Sequence, residues 1–90
     1  MHNVQHAPGD QRFNIEADGQ TGYVEYELAD QVMTITHTVV PSAIGGRGIA
    51  GALVQAALDH ARGAGLKVVP TCSYADAWMT KHPEYEDLRA

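Results

Sequence analysis

The hydrophobic period of this chain changes once, and glycines sit at the change. Up to Val40 apolar residues alternate with polar ones, whereas from Ile49 onward they recur every fourth residue. Between the two regimes lies Pro41-Ser42-Ala43-Ile44-Gly45-Gly46-Arg47-Gly48. Alternation specifies half-buried strands, and a stripe at i, i+4 specifies an amphipathic helix. A chain patterned this way builds sheet first and then lays a helix across it. With 90 residues there is material for one hydrophobic core and no second domain.

The alternating half divides into three strands. In Arg12–Ala17, Phe13, Ile15 and Ala17 share one face, and Arg12, Asn14 and Glu16 the other. Asp18-Gly19 then marks a two-residue hairpin turn, because both central positions of a type I′ turn need positive φ. Tyr23–Leu28 alternates again, with Val24, Tyr26 and Leu28 on one side, and Ala29-Asp30-Gln31 makes a second short turn. Val32–Val40 is rich in β-branched residues and is ended by Pro41, which cannot donate to a ladder. Residues 1–11 are polar and read as a flexible lead-in to a single domain over 12–90.

The helical half begins at Ile49, where Ile49, Leu53 and Ala57 recur beside Ala50, Val54 and Leu58, and it stops at Gly63-Ala64-Gly65. Leu66–Pro70 is a short apolar run, expected to return as a strand parallel to the third. Ser73 is placed to cap a second short helix, with Asp76 three residues on, and His82-Pro83 breaks it. The fold class is α+β: three antiparallel strands, a strand–helix–strand unit and a short C-terminal helix.

Charge and cysteine usage narrow the function. Six Lys+Arg against 11 Asp+Glu leave a net charge of −5, which disfavours nucleic acid and anionic membrane surfaces and suits a cationic partner such as an amine. The single cysteine, Cys72, excludes an internal disulfide and a multi-cysteine zinc site and fits a reducing compartment. No apolar run approaches the roughly 20 residues needed to span a bilayer, and the N-terminus has no hydrophobic signal core. A cytoplasmic monomer is expected.

The strand-to-helix glycines carry the chemistry. Glycine lets a ligand approach the backbone closely, and the unpaired N–H groups and dipole of a helix start favour phosphate. Arg47 adds a guanidinium fork. The same glycines would also serve a plain tight connection. A dinucleotide fingerprint does not fit, for want of G-x-G-x-x-G followed by an acidic residue about 20 positions on, and no Gly-Lys-Ser/Thr follows to make a P-loop.

Two side chains compete for a catalytic role. His37 falls in register with Met33, Ile35 and Val39, so alternation assigns it to the apolar face, either as a core histidine or as a general base. Cys72 follows a strand and precedes a helix, where the dipole favours thiolate, although free cysteine also packs as a small hydrophobe. Tyr85 either packs back onto the body or serves as an acid. Trp78 and Met79 read as core, Glu84, Glu86 and Asp87 as a solvated acidic end, and His2 with His6 as a weak metal signal.

Gly46-Arg47-Gly48-Ile49-Ala50, following a Val-Pro strand end and opening a helix, resembles the acyl-CoA pyrophosphate loop of the GNAT N-acetyltransferases. Together with His37-Thr38-Val39-Val40-Pro41, Lys67-Val68-Val69-Pro70-Thr71-Cys72 and His82-Pro83-Glu84-Tyr85, it is similar to the minimal single-domain members of that family, over residues 12–88. The resemblance implies acetyl-CoA as co-substrate, with Val39 and Val40 holding the pantetheine arm by their backbone. It implies Gly46, Arg47, Gly48, Ile49 and Ala50 at the pyrophosphate, with Lys81 or His82 as further phosphate contacts. It implies Cys72 near the thioester, paired with His37, and no metal. The loop departs from the superfamily at Gly45, where Gln or Arg is usual, which leaves Arg47 as its cation. The chain also lacks the elements that ordinarily form an acceptor pocket. The expected function is acetyl-CoA-dependent N-acylation of an amine. The alternatives are a non-catalytic CoA-binding or sensing module and a small protein-interaction domain that keeps only the fold.

Overall fold

A computed structural model describes residues 3–90. The strands are β1 (Gln5–Ala7), β2 (Arg12–Ala17), β3 (Gln20–Ala29), β4 (Val32–Val39) and β5 (Lys67–Pro70), in the order β1-β2-β3-β4-β5 within one sheet. The first four run antiparallel to their neighbours, and β5 runs parallel to β4. Helices α1 (Ile49–Ala64) and α2 (Ser73–Lys81) complete the fold, with a 3₁₀ segment at Pro83–Leu88. This is the expected α+β arrangement with one strand more.

Both hairpins are tight because their turn residues accept the left-handed region. Asp18 and Gly19 have φ of 51° and 74°, and Asp30 and Gln31 have φ of 53° and 63°. The inner face of the sheet presents Phe13, Ile15, Val24, Tyr26, Met33, Ile35 and Val68 to the stripe of α1 formed by Ile49, Leu53, Val54, Ala57, Leu58 and Ala61, all buried. Each fully buried large side chain contributes about 1.5–3 kcal/mol. Leu28, at the end of its strand, stays half exposed.

The segment read as a flexible lead-in is partly ordered. Gln5–Ala7 pairs with Arg12–Asn14, and His6 explains why. Its ring stacks on Phe13 at 4.1 Å and its Nε2 lies 2.6 Å from the Tyr26 hydroxyl. Ring packing across strands, not apolar alternation, holds this edge. His2, the other residue of the proposed metal signal, lies outside the described residues.

Two further expectations shift. The second helix is capped by Cys72, whose carbonyl accepts the Asp76 N–H at 3.0 Å, and Ser73 is its first helical residue with no side-chain cap bond. Asp76 instead pairs with Arg89 at 2.7 Å. The larger change is in β4. Its pairing with β3 slips between Glu25 and Tyr26, so that Glu25 faces His37 while Tyr26 faces Ile35 and Thr36 is the extra residue. The Thr36 hydroxyl closes this bulge by donating to the Glu25 carbonyl at 3.1 Å. A bulge reverses the alternation beyond it. Thr38 therefore takes the inward position that alternation assigns to His37, and His37 is exposed.

Candidate functional site

The site is assembled where β4, α1 and α2 meet. β4 pairs with β5 from Val32↔Lys67 to Ile35↔Pro70 and no further. At that point the Ile35 carbonyl accepts both the Cys72 N–H, at 3.1 Å, and the Thr71 hydroxyl, at 2.9 Å. From Thr36 to Val39 the β5-facing edge of β4 has no strand partner among the described residues, so the strands part at Ile35, earlier than the expected splaying near Val39 and Val40. An edge of this kind accepts an extended ligand as an added strand would.

That edge runs into the glycine loop. A 3₁₀ turn at Ser42–Ile44 buries Ile44 completely and anchors the loop. Gly46 and Gly48 both have φ of 76°, and a Cβ on either would meet nothing within 4 Å. Gly48 is the N-cap of α1, no side chain caps the helix, and no acidic residue stands in its first turn. The first intrahelical bond of the capping residue is Ala52 N–H to the Gly48 carbonyl at 3.0 Å. The N–H groups of Ile49, Ala50 and Gly51 precede it and have no acceptor within the helix. The loop thus offers open space, aligned donors and a positive dipole end, which fit a pyrophosphate. At Gly22, by contrast, a Cβ would come 3.1 Å from Ile49 Cγ2. Glycine in β3 is what lets the start of α1 sit so close to the sheet. Arg47 reaches back to the β2–β3 turn, where it pairs with Asp18 at 2.6 Å.

Cys72 lies half-buried at the far end of the open edge, at the start of α2. Its Sγ is 3.4 Å from the Thr38 hydroxyl. Burial raises its pKa, but the Thr38 hydroxyl and the N–H groups of Ala75 and Tyr74 outweigh burial and hold the thiol below its ordinary value. These partners favour a thiolate. The expected Cys72–His37 pair is not formed, because the bulge turns His37 to the opposite face. Thr38 is the residue that sequence alternation missed. Nothing in the composition of β4 signals the slip that puts it there.

His37 instead lines a groove of about 320 Å³ on the open face of the sheet, together with Asp10, Gln11, Glu25, Tyr26, Glu27 and Thr36. No lysine or arginine lines it, although Arg12 reaches Glu25 at 3.1 Å. The remaining candidates are engaged elsewhere. His82 stacks on Trp78 at 3.7 Å and its Nδ1 lies 2.7 Å from the Trp78 carbonyl. Lys81 is exposed in the last turn of α2. Tyr85 is buried, and its hydroxyl donates to Asp59 at 2.7 Å, a bond that raises its pKa. Among the described residues no group of three or more His, Cys, Asp or Glu is placed to hold a metal ion, and no helix is long and apolar enough to cross a membrane.

A splayed pair of parallel strands leading into a glycine-capped helix defines an acyltransferase-like fold, and comparison with known proteins is specific. Residues 12–88 match the GCN5-related N-acetyltransferase family model. Protein NATD1 of mouse and of human are each 32% identical over 83 residues, covering 89% of this chain and 76% and 74% of theirs. The solution structure of a GCN5-like protein from Staphylococcus aureus superposes with a TM-score of 0.76 at 27% identity, covering 98% of this chain and 87% of that one. The chain belongs to the GCN5-related N-acetyltransferase family.

Proposed function

We propose that this protein transfers an acyl group from acetyl-CoA to an amine. The observation that carries the reading is the continuity of the unpaired β4 edge, from the donors of Ile49, Ala50 and Gly51 at one end to Cys72 at the other. Gly46 and Gly48 give a pyrophosphate room, Arg47 supplies the loop's cation, and the backbone of Val39 and Val40 lies along the pantetheine arm. When bound, acetyl-CoA supplies a thioester whose acyl group passes to nitrogen with release of CoA and one proton.

The residues around the inner end divide the remaining work. His37 stands at the bulge beside the open edge, on the face that solvent reaches, and is our proton acceptor for the incoming amine. Glu25, Glu27 and Asp10 line the same groove and favour a cationic amine there, in keeping with the net charge of −5. Cys72 lies across the sheet from His37, where its thiol borders the thioester and Thr38 orients it. The separation of the two supports direct transfer to the amine over relay through a Cys–His pair.

Calorimetry with CoA, followed by CoA release with acetyl-CoA and a panel of primary amines, tests the reading. We expect His37→Ala to lower turnover by about 10²–10⁴-fold, the range of general base catalysis, while CoA affinity is retained. Unchanged turnover would remove His37 from the mechanism. A Cys72-linked acyl adduct in intact mass spectra, absent from Cys72→Ala, would replace direct transfer with a covalent route. Tight CoA binding with no transfer to any amine would favour a sensing module.

A further inference from the structure

Just before β2 the chain crosses from the helix-covered face of the sheet to the open one. On the covered face the His6 ring stacks on Phe13 at 4.1 Å and meets His60 of α1 at 4.6 Å. Its Nε2 lies 2.6 Å from the Tyr26 hydroxyl. β1 has three ladder positions, so these side-chain contacts supply the rest of its hold. Pro8, whose ring fixes φ, then opens a single 3₁₀ turn. Gln11 closes the turn by donating its N–H to the Pro8 carbonyl at 3.1 Å, and takes left-handed angles of φ 54° and ψ 50°. Few residues with a side chain adopt that conformation. Here it accompanies a bond from the Tyr26 N–H to the Gln11 carbonyl at 3.0 Å, and Asp10 and Gln11 border the groove that His37 lines. Tyr26 is thus held twice by the amino-terminal segment, at its hydroxyl by His6 and at its N–H by Gln11. It is also the residue at which β3 slips against β4.

We infer that Asp10 and Gln11 form a wall of the amine groove, and that His6 is the positioning residue that holds this wall by anchoring β1 on Tyr26. The inference rests on the reading of that groove as the amine site. The other lining residues, Glu25, Tyr26, Glu27, Thr36 and His37, all belong to β3 and β4. A sheet face by itself offers a floor, and the turn gives the groove a side. Glu25 already shares its charge with Arg12 at 3.1 Å, whereas Asp10 is an exposed carboxylate that the wall adds for a cationic amine. His6 does not touch the amine; it fixes where Asp10 stands.

The probe is 1,4-diaminobutane, a small dication suited to a groove lined by Asp10, Glu25 and Glu27, with acetyl-CoA as co-substrate and the full chain throughout. His6→Phe keeps a ring on Phe13 but cannot bond Tyr26. It should raise KM for the diamine about 3–10-fold, the loss of one hydrogen bond, with kcat, CoA affinity and melting temperature close to wild type. His6→Gln, whose amide can reach the Tyr26 hydroxyl, should restore KM. A merely structural role would move kcat and melting temperature as well. Asp10→Asn, at an exposed turn, should raise KM too, and the double variant His6→Phe/Asp10→Asn no further than the larger single, because His6 acts through the wall. The inference alone is overturned by a wild-type KM in His6→Phe or Asp10→Asn, by a His6→Gln that does not recover, or by fully additive effects. Should the chain bind the diamine without transfer, the shifts of the Gln11 and His37 amides report the binding, and the same variants should weaken it. A wild type whose groove amides do not respond to the diamine overturns the amine reading and the inference with it.

Discussion

The two ends of α1 are finished in opposite ways. At the C-terminal end the chain satisfies itself. Gly65 has φ of 72° and its N–H reaches the carbonyls of Ala61 and Arg62, while the Leu66 N–H adds a 2.8 Å bond to Ala61. Arg62 then grips both carboxylate oxygens of Asp87, at 2.9 and 3.0 Å, and the Glu84 carbonyl. Lys67 closes the clasp on the Asp87 carbonyl at 2.7 Å. At the N-terminal end no side chain caps the helix, no carboxylate offsets its dipole, and the flanking glycines face open space. Ordinary capping by Ser, Thr or Asp is worth about 1 kcal/mol. Without it the first N–H donors of α1 have no side-chain acceptor at the cap, and the clasped end fixes the helix from the other side. The acidic end that composition reads as merely solvated is thus a working part of the fold.

The largest effect that tests this contrast is at Gly48. Valine there is forced into the left-handed region at a strain of ~1–2 kcal/mol, and relieving the strain takes the loop out of its donor geometry. Gly48→Val should weaken CoA binding about tenfold or more with a smaller loss of melting temperature. Calorimetry and thermal denaturation separate the two, and a variant with a lowered melting temperature but wild-type affinity for CoA would reverse the assignment. The mirror experiment is Gly65→Ala. It carries a similar conformational cost of ~1 kcal/mol, which is about 4–8 °C in a domain of this size, and should leave the affinity for CoA alone. Loss of CoA binding in Gly65→Ala would show that the two ends are not independent.

Glycine positions of this sort are legible in a sequence, because a positive φ leaves few other choices. So are Asp18-Gly19, the i, i+4 stripe of α1 and the parallel return of Val68 and Val69. The features that stay hidden share a cause: each depends on what a residue meets across the fold. The bulge at Thr36 changes no composition, yet one inserted residue exchanges His37 for Thr38 beside the thiol. β1 has no apolar alternation, and it is held by one imidazole between Phe13 and Tyr26. Trp78 reads as core, and it does pack against the core, but its half-buried place beside His82 depends on a stacking that no spacing announces. Local period therefore locates the loop that a phosphate would use, and long-range register decides which side chains face the chemistry.

Acid should act on the clasped end and spare the open one. Asp87 is held below its ordinary value of 3.8 chiefly by the hydrogen bonds from Arg62. A carboxylate with a lowered folded-state pKa stabilises fully above its ordinary value, and that contribution is lost as pH falls through the folded value. The melting temperature should drop as pH falls below about 4, and Asp87→Asn should remove that part of the drop. An identical acid profile in the variant would take the clasp out of the stability of this end.

A smaller and earlier step is expected from His6, which packs against the last turns of α1. Its pKa is lowered from 6.5 by burial first and by the neighbouring His60 second. The rings around it are Phe13 and Tyr26 from the sheet and His60 from α1, whose centroid is 4.6 Å away. Because the folded state favours neutral His6, its contribution is complete above 6.5 and is lost as pH falls toward the lowered value. Between about pH 7.5 and 5.5 the amides of Gln5–Ala7 should exchange faster and the melting temperature should dip slightly, and His6→Gln should flatten both responses. The backbone donors at the start of α1 do not titrate in this window. A CoA affinity that weakened in step with β1 exchange would show that the edge strand reaches the open end of the helix, whereas a constant affinity would confine the effect to the end that the chain closes for itself.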